Sequence, residues 1–314
     1  MNTPSAGRRP GPTGRPTHLF VLPATLGGKL WVWRYLLLRR LTQFGVLTLF
    51  FGTAHFGWTL LGRPVLAGNL SGSEFLGFLP MADPFAVAQI LLTRHWLESK
   101  VLLGAGLILA FYTLVGGRVF CAWVCPVNMV TDGASWLRRG LGIKEAFYLD
   151  RRTRYSVLAL ALVLSVLTGV AAFEWISPIG MFHRELIYGV GLGWTAVLGV
   201  FLFDLFVLKH GWCGHLCPLG AFYALVGRVA PVRVRFDEAR CTHCGECTLV
   251  CPEPHVLNLK QAAAAGMIAS GECTNCGRCT PVCPEGALHF DLRARIRRGL
   301  KTVSDSDPSR RRAA

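Results

Sequence analysis

Four long apolar runs mark the chain: Leu41 to Leu61, Val101 to Gly117, Ser156 to Phe173 and Ile187 to Leu208. Each is close to the ~20 residues with which a helix crosses a bilayer. Glycines recur within them (Gly104, Gly106, Gly169, Gly191, Gly193, Gly199), as small residues do where membrane helices pack closely. Between the first two runs, Asp83-Pro84 reads as an N-cap followed by proline at the first helical position. Phe85 to Leu92 continues as an apolar helix too short to span, expected at the membrane interface beside Trp96. The pattern predicts a transmembrane domain over residues 31–230, preceded by a disordered basic arm over 1–30 that has no apolar period.

Charge orients that domain. Arg8, Arg9, Arg15, Lys29, Arg34, Arg39 and Arg40 precede the first run. Arg118, Arg138, Arg139, Lys144, Arg151, Arg152 and Arg154 lie between runs two and three. The other two intervening segments are poor in Lys and Arg: Arg63, Arg94 and Lys100 in one, Arg184 alone in the other. The positive-inside rule then places both termini in the cytoplasm of a multi-pass protein of the bacterial inner membrane. Arg8-Arg9 does not open an export signal, because no apolar stretch follows until after Leu41. Composition agrees: 52% of residues are hydrophobic and 16% charged, yet the net charge is +15. The aromatics sit in apolar runs instead of interleaving with the basic residues, which argues against a nucleic-acid partner. Residues 134–142 read as a basic amphipathic helix on the inner leaflet. The basic tail over 291–314 either rests on anionic lipid or is solvated.

The cysteines change the picture most. All 12 fall into patterned groups. Cys241, Cys244, Cys247 and Cys251, followed by Pro252, repeat the spacing of Cys273, Cys276, Cys279 and Cys283, followed by Pro284. In this C-x2-C-x2-C-x3-C-P run three thiolates cap three corners of an iron–sulfur cube, and the fourth ligates the other cluster. The assignment is therefore crossed: Cys241, Cys244, Cys247 and Cys283 hold one 4Fe-4S cluster, and Cys251, Cys273, Cys276 and Cys279 the second. A disulfide framework suits small secreted domains. Structural zinc uses separated pairs, not triplets. The expected fold is thus an all-α polytopic bundle of four transmembrane helices with an internal duplication, then an α+β dicluster ferredoxin-like domain over 231–290.

The duplication rests on a second repeated motif. Cys121-Ala-Trp-Val-Cys125-Pro126 and Cys213-Gly-His-Leu-Cys217-Pro218 follow the second and fourth runs. Residues four apart share a helix face, so each pair points one way. If the two pairs face each other, four thiols meet. Their role stays open between a metal or cluster, a thiol–disulfide couple, an interaction with the ferredoxin segment, and plain packing of small buried cysteines.

These residues resemble a known family. Arg39-Arg40-Leu-Thr-Gln43-Phe, Ala82-Asp83-Pro84-Phe85, Phe120 to Pro126, Glu174-Trp175-Ile-Ser-Pro178, His210 to Pro218 and Cys251-Pro-Glu-Pro-His-Val-Leu257 are similar to the NapH type of quinol dehydrogenase membrane component, over roughly residues 38–290. The resemblance implies electron transfer from quinol toward a periplasmic nitrate reductase. It also implies two partners, a periplasmic ferredoxin-type NapG-like protein and a membrane tetrahaem cytochrome. A methylamine-utilisation relative of MauN type is very similar in the second C-x3-C-P region. A redox maturation factor for a periplasmic reductase is the rival class.

No molybdenum-cofactor, C-x-x-C-H haem or flavin pattern appears, so the chain has no substrate-reducing site of its own. Quinol oxidation needs an apolar slot with proton acceptors. The candidates are Asp83, Gln89, Glu174 and His183, then His95, Glu98 and Glu185. Asp83 also reads as a simple helix cap. Asp204 is expected to pair with Lys209 or Arg118, and His210, His215 and His243 flank the cysteines.

Overall fold

A computed structural model describes residues 25–143, 147–189 and 191–296. The chain divides into two units: a helical one, Arg39–Ala230 with Gly271–Asn275, and a second made of Met1–Leu38, Pro231–Ser270 and Cys276–Ala314.

The helical unit begins within α1 (Leu26–Phe56), of which residues 39–56 belong to it. A hairpin, β1 (Thr59–Leu60) and β2 (Arg63–Pro64), follows. Next comes an antiparallel meander of β3 (Leu66–Gly68), β4 (Gly72–Phe75) and β5 (Leu79–Ala82). Then come α2 (Pro84–Leu92), α3 (Ser99–Val115), α4 (Val119–Trp123), α5 (Val127–Gly140), α6 (Thr153–Thr168), α7 (Ala172–Ile176), α8 (Pro178–Tyr188) and α9 (Gly193–Leu202). Two π-helical turns, Phe203–Val207 and Trp212–Leu216, lead into α10 (Pro218–Val226).

Proline sets several of these starts. Asp83 caps α2, its Oδ2 accepting from the Ala86 N–H at 3.2 Å, and Pro84 takes the first helical position. Ser177 does the same for α8, accepting from Gly180 N–H at 3.4 Å. Helices α6 and α8 stop at Gly169 (φ +70°) and Gly189 (φ +65°), left-handed positions that glycine takes without strain. The core packs Phe85, Tyr112, Phe120, Leu158, Phe173 and Tyr223 together. At Gly117 a Cβ would stand 1.9 Å from the Tyr223 carbonyl oxygen, so only glycine lets this segment meet α10.

The transmembrane expectation fails here. Among the described residues no helix is long and apolar enough to cross a membrane, which overturns both the four-helix transmembrane bundle and the multi-pass placement in the inner membrane. Helices α3 and α6 have 17 and 16 residues, about 25 Å each at 1.5 Å per residue, against a hydrocarbon core of ~30 Å. Run four is broken at Gly189 and again where α9 gives way to the π turn. Helix α1 is long enough at 31 residues but carries Lys29, Arg34, Arg39 and Arg40, and its apolar stretch ends at Phe56. Arg39 is buried and paired with Asp132 at 3.3 Å. Helix α2 is a core element, with Phe85 and Gln89 fully buried, and not an interfacial one. The basic helix is α5, and its Arg138 is buried instead of facing outward. Helices α1, α3, α6 and α9 nevertheless turn large apolar side chains outward, among them Leu41, Leu103, Leu167 and Leu198.

The second unit contains β6 (Val232–Phe236), α11 (Glu246–Val250), α12 (Leu259–Ala265) and β7 (Leu288–Leu292). Strands β6 and β7 pair antiparallel, from Val232 opposite Leu292 to Phe236 opposite Leu288. Val234, Phe236, Ile268 and Leu288 form the inner layer. Residues 26–38 of α1 belong to this unit, and Tyr35 meets Phe290 edge-on at 5.7 Å. The basic arm over 1–24 and the tail over 297–314 lie outside the described residues; Leu26 to Leu30 are already helical.

Candidate functional site

In the second unit Cys241, Cys244, Cys247 and Cys283 line one pocket, closed by Phe236, Leu259, Ala287 and Leu288. Three cysteines come from the first run and one from the second. Two sulfurs accept backbone hydrogen bonds: Cys241 from His243 N–H at 3.4 Å, Cys283 from Ala287 N–H at 3.3 Å. His243 (φ +53°) and Gly245 (φ +82°) turn the chain so that its amides run past the pocket. Burial first, then the neighbouring Cys244, Cys283 and Cys241, raises the Cys247 thiol. Four soft donors around one cavity, with N–H groups aimed at sulfur, fit a 4Fe-4S cluster. Of the other four ligands expected from spacing, Cys251, Cys276 and Cys279 belong to this unit and Cys273 to the helical one. Among the described residues no disulfide joins the twelve cysteines.

In the helical unit the two C-x3-C-P motifs share a local geometry. The N–H of the last cysteine reaches back five residues, Cys125 to Phe120 O at 3.0 Å and Cys217 to Trp212 O at 2.9 Å. The proline that follows has no N–H, and it opens α10 directly and precedes α5. The widened turns leave carbonyls that side chains satisfy. Arg39 Nε and Gln43 Nε2 donate to Ala122 O at 2.8 and 3.1 Å, and Gln43 also to Cys125 O at 3.2 Å. Arg118 donates to Cys213 O at 3.3 Å. The Cys125 and Cys217 thiols each sit just ahead of a helix, where the Val127 and Asn128 amides, and the Gly220 and Leu219 amides, act to lower them against burial. The four sulfurs lie in one another's field. Burial, then Cys121 and Cys217, pushes the Cys125 thiol well up. Burial, then Cys125 and its neighbours, does the same to Cys213, and Cys217 is pushed up to about 12.

Sequence reasoning placed Asp83 on the opposite side from these cysteines. The structure joins them. Asp83 Oδ1 accepts from Tyr223 OH at 3.0 Å, and Tyr223 stacks on Phe120 at 5.2 Å beside the first motif. Burial, then the Glu174 charge, raises Asp83 to about 7. Glu174, raised by burial, accepts from Ser71 Oγ at 2.6 Å. Gln89 Oε1 accepts from Phe173 N–H at 2.9 Å. Asp83 at the head of α2, Gln89 within it and Glu174 on α7 thus form one polar region.

His183 is on α8, edge-on to Phe50 at 5.2 Å, with no hydrogen-bond partner on either ring nitrogen; burial lowers it to about 4. Of the remaining candidates, Glu185 caps α9 by accepting from Gly193 N–H at 2.6 Å. His95 bonds Thr93 Oγ1 at 2.9 Å, and Glu98 is exposed ahead of α3. Asp204 takes the Trp212 amide at 2.9 Å and faces Arg138. Tyr112 and Tyr223 went unnoticed in the sequence; they carry no motif, and only an aromatic on an inner helix face signals them.

Two family models match, a 4Fe-4S binding domain over residues 101–144 and 187–236, and a 4Fe-4S dicluster domain over 233–284. The methylamine utilization ferredoxin-type protein MauN of Methylorubrum extorquens is 48% identical, covering 75% of this chain and 81% of its own. The ferredoxin-type protein NapH of Haemophilus influenzae is 42% identical over 72% and 79%, and that of Escherichia coli 43% over 71% and 77%. No solved structure matches. The 4Fe-4S domains and these relatives identify an electron-transfer protein that works through iron–sulfur clusters. The chain belongs to the NapH and MauN family of ferredoxin-type proteins.

Proposed function

We propose that the chain takes electrons from a quinol and passes them one at a time, through two 4Fe-4S clusters, toward a periplasmic nitrate reductase. The pocket formed by Cys241, Cys244, Cys247 and Cys283 carries the reading, because it unites cysteines from both runs in the crossed pattern. By the same spacing, Cys251, Cys273, Cys276 and Cys279 would hold the second cluster. The amides of His243 and Ala287 stabilise negative charge on the thiolates they bond. A quinol releases two protons with its two electrons. Asp83, raised to about 7, is matched to accept a proton near neutral pH, with Glu174 beside it. A NapG-like ferredoxin-type protein and a tetrahaem cytochrome are the partners this reading supplies.

The test is anaerobic mixing of the oxidised protein with a reduced quinol, followed by the visible bleaching of the clusters. The expected result is bleaching that slows several-fold in Asp83→Asn. Clusters that stay oxidised at every quinol concentration overturn the reading. The 48% identity to a methylamine utilization protein supports a second reading, the same electron chemistry in service of methylamine use. A deletion strain separates the two by which growth it loses, on nitrate or on methylamine.

A further inference from the structure

We propose that Glu272 and the two arginines around it set the reduction potential of the cluster that Cys273 ligates, so that this cluster is reduced before the Cys241 cluster. Cys273 is the one ferredoxin-run cysteine carried by the helical unit, within Gly271–Asn275. Both sides of it are fastened there. Fully buried Arg154 pairs with the Glu272 carboxylate, Nη2 to Oε2 at 2.5 Å. Tyr155 OH donates to Glu272 Oε1 at 2.7 Å. Buried Arg118 donates to the Glu272 carbonyl at 2.9 Å and to the Cys213 carbonyl at 3.3 Å. On the other side, Asn275 Nδ2 donates to Val115 O and Trp123 Nε1 donates to Asn275 O, both at 3.2 Å. At Gly271 a Cβ would stand 2.2 Å from the Ala224 carbonyl oxygen, so the segment lies directly against α10.

Holding a loop does not require such a cage. A buried ion pair seldom adds net stability over apolar packing, because desolvating two charges offsets their attraction. Beside a redox centre it supplies fixed charge. A cluster's potential follows local charge, hydrogen bonding and exposure. Here two guanidiniums meet Glu272 one residue ahead of Cys273, in an interior that screens charge weakly. Next to the other quartet the buried charge has the opposite sign: Glu246, 6% exposed, precedes Cys247. Glu253, two residues past Cys251, has the His255 ring against it at 3.6 Å. The arginines draw an electron toward Cys273, and Glu272 is the positioning residue that holds them there and tempers their charge. The inference rests on the spacing that gives Cys273 to the second cluster, and is independent of the quinol.

The test is an anaerobic redox titration of the full-length protein, with the reduced clusters followed by their paramagnetic signals. Wild type is expected to reduce in two separate one-electron steps. Glu272→Gln keeps the side chain's shape and removes its charge, so it should raise the upper midpoint and leave the lower one in place. Arg118→Gln should lower the upper midpoint. Opposite signs are what a merely structural role would not produce. A single shared step in wild type overturns the proposal, as do equal shifts of both midpoints, shifts of one sign from both variants, or no shift in either. If these variants do not fold, the wild-type titration and Tyr155→Phe decide. Tyr155→Phe withdraws a donor from the carboxylate and should lower the upper midpoint; no movement overturns the proposal. Iron content in Cys273→Ala checks the ligand assignment separately. Unchanged iron there sinks the assignment, whereas lost iron with unmoved midpoints in Glu272→Gln sinks the role of the cage alone.

Discussion

The two cysteine quartets share donor type and number but sit in different media. The ferredoxin quartet lines a cavity, and Cys241, Cys244 and Cys283 are only partly buried. In the helical quartet Cys125 and Cys217 belong to the core, each about 6% exposed, and the partly buried Cys121 and Cys213 pack against it. Loops that turn through left-handed positions shape the first; helix breaks at C-P steps, held by arginine and glutamine, shape the second. A loop quartet adjusts to what it binds. A quartet built on helix heads is set in advance by packing, so its properties depend on groups that never touch sulfur.

The sharpest way to break this contrast is Cys283→Ser. It should remove the iron of one ferredoxin cluster and leave the helical unit's melting transition in place; simultaneous loss of both would show that the units do not fold separately. Next comes Arg154→Ala. Arg154 is fully buried and pairs with Glu272 at 2.5 Å. Removing one partner of a buried pair costs about 3–5 kcal/mol, measured by the denaturant midpoint. A loss under about 1 kcal/mol would mean water reaches this pair.

Acidity separates the media further. Asp83 and Asp204 are both raised to about 7 by burial, so the folded state keeps their protons where the unfolded state has lost them. Stability should therefore fall as pH rises from about 4 to about 7. Asp83→Asn should remove part of that slope, a change of a few kcal/mol at most at pH 7. A melting temperature flat across this window in both proteins would contradict the burial of these carboxyls. The smallest effect is expected from Tyr223→Phe, which withdraws the hydroxyl from Asp83 Oδ1. It should cost about 1–3 kcal/mol and move the acid transition upward, since that hydroxyl stabilises the carboxylate.

What the sequence revealed follows from how local each signal is. The Asp83-Pro84 cap and the presence of iron–sulfur domains are carried by short spacings and were legible, whereas the C-x3-C-P spacing marked its cysteines without fixing their role. Helix length was not. Run four reads as continuous by hydropathy, but Gly189 and the π turn at Phe203 divide it. Arg39 and Gln43 were legible only as part of a family motif, and Arg39 as a flanking charge; what they hold is set by Ala122, some eighty positions away. The link between Asp83 and Tyr223 spans 140 residues and leaves no local trace.

The missing side chain at position 117 reaches beyond its own turn. With the Tyr223 carbonyl pressed into the place a methyl group would take, the segment entering the first thiol pair and the helix leaving the second are locked at a common pivot. Any side chain at 117 would therefore push on both segments at once, so the two thiol pairs share one position that tolerates no substitution.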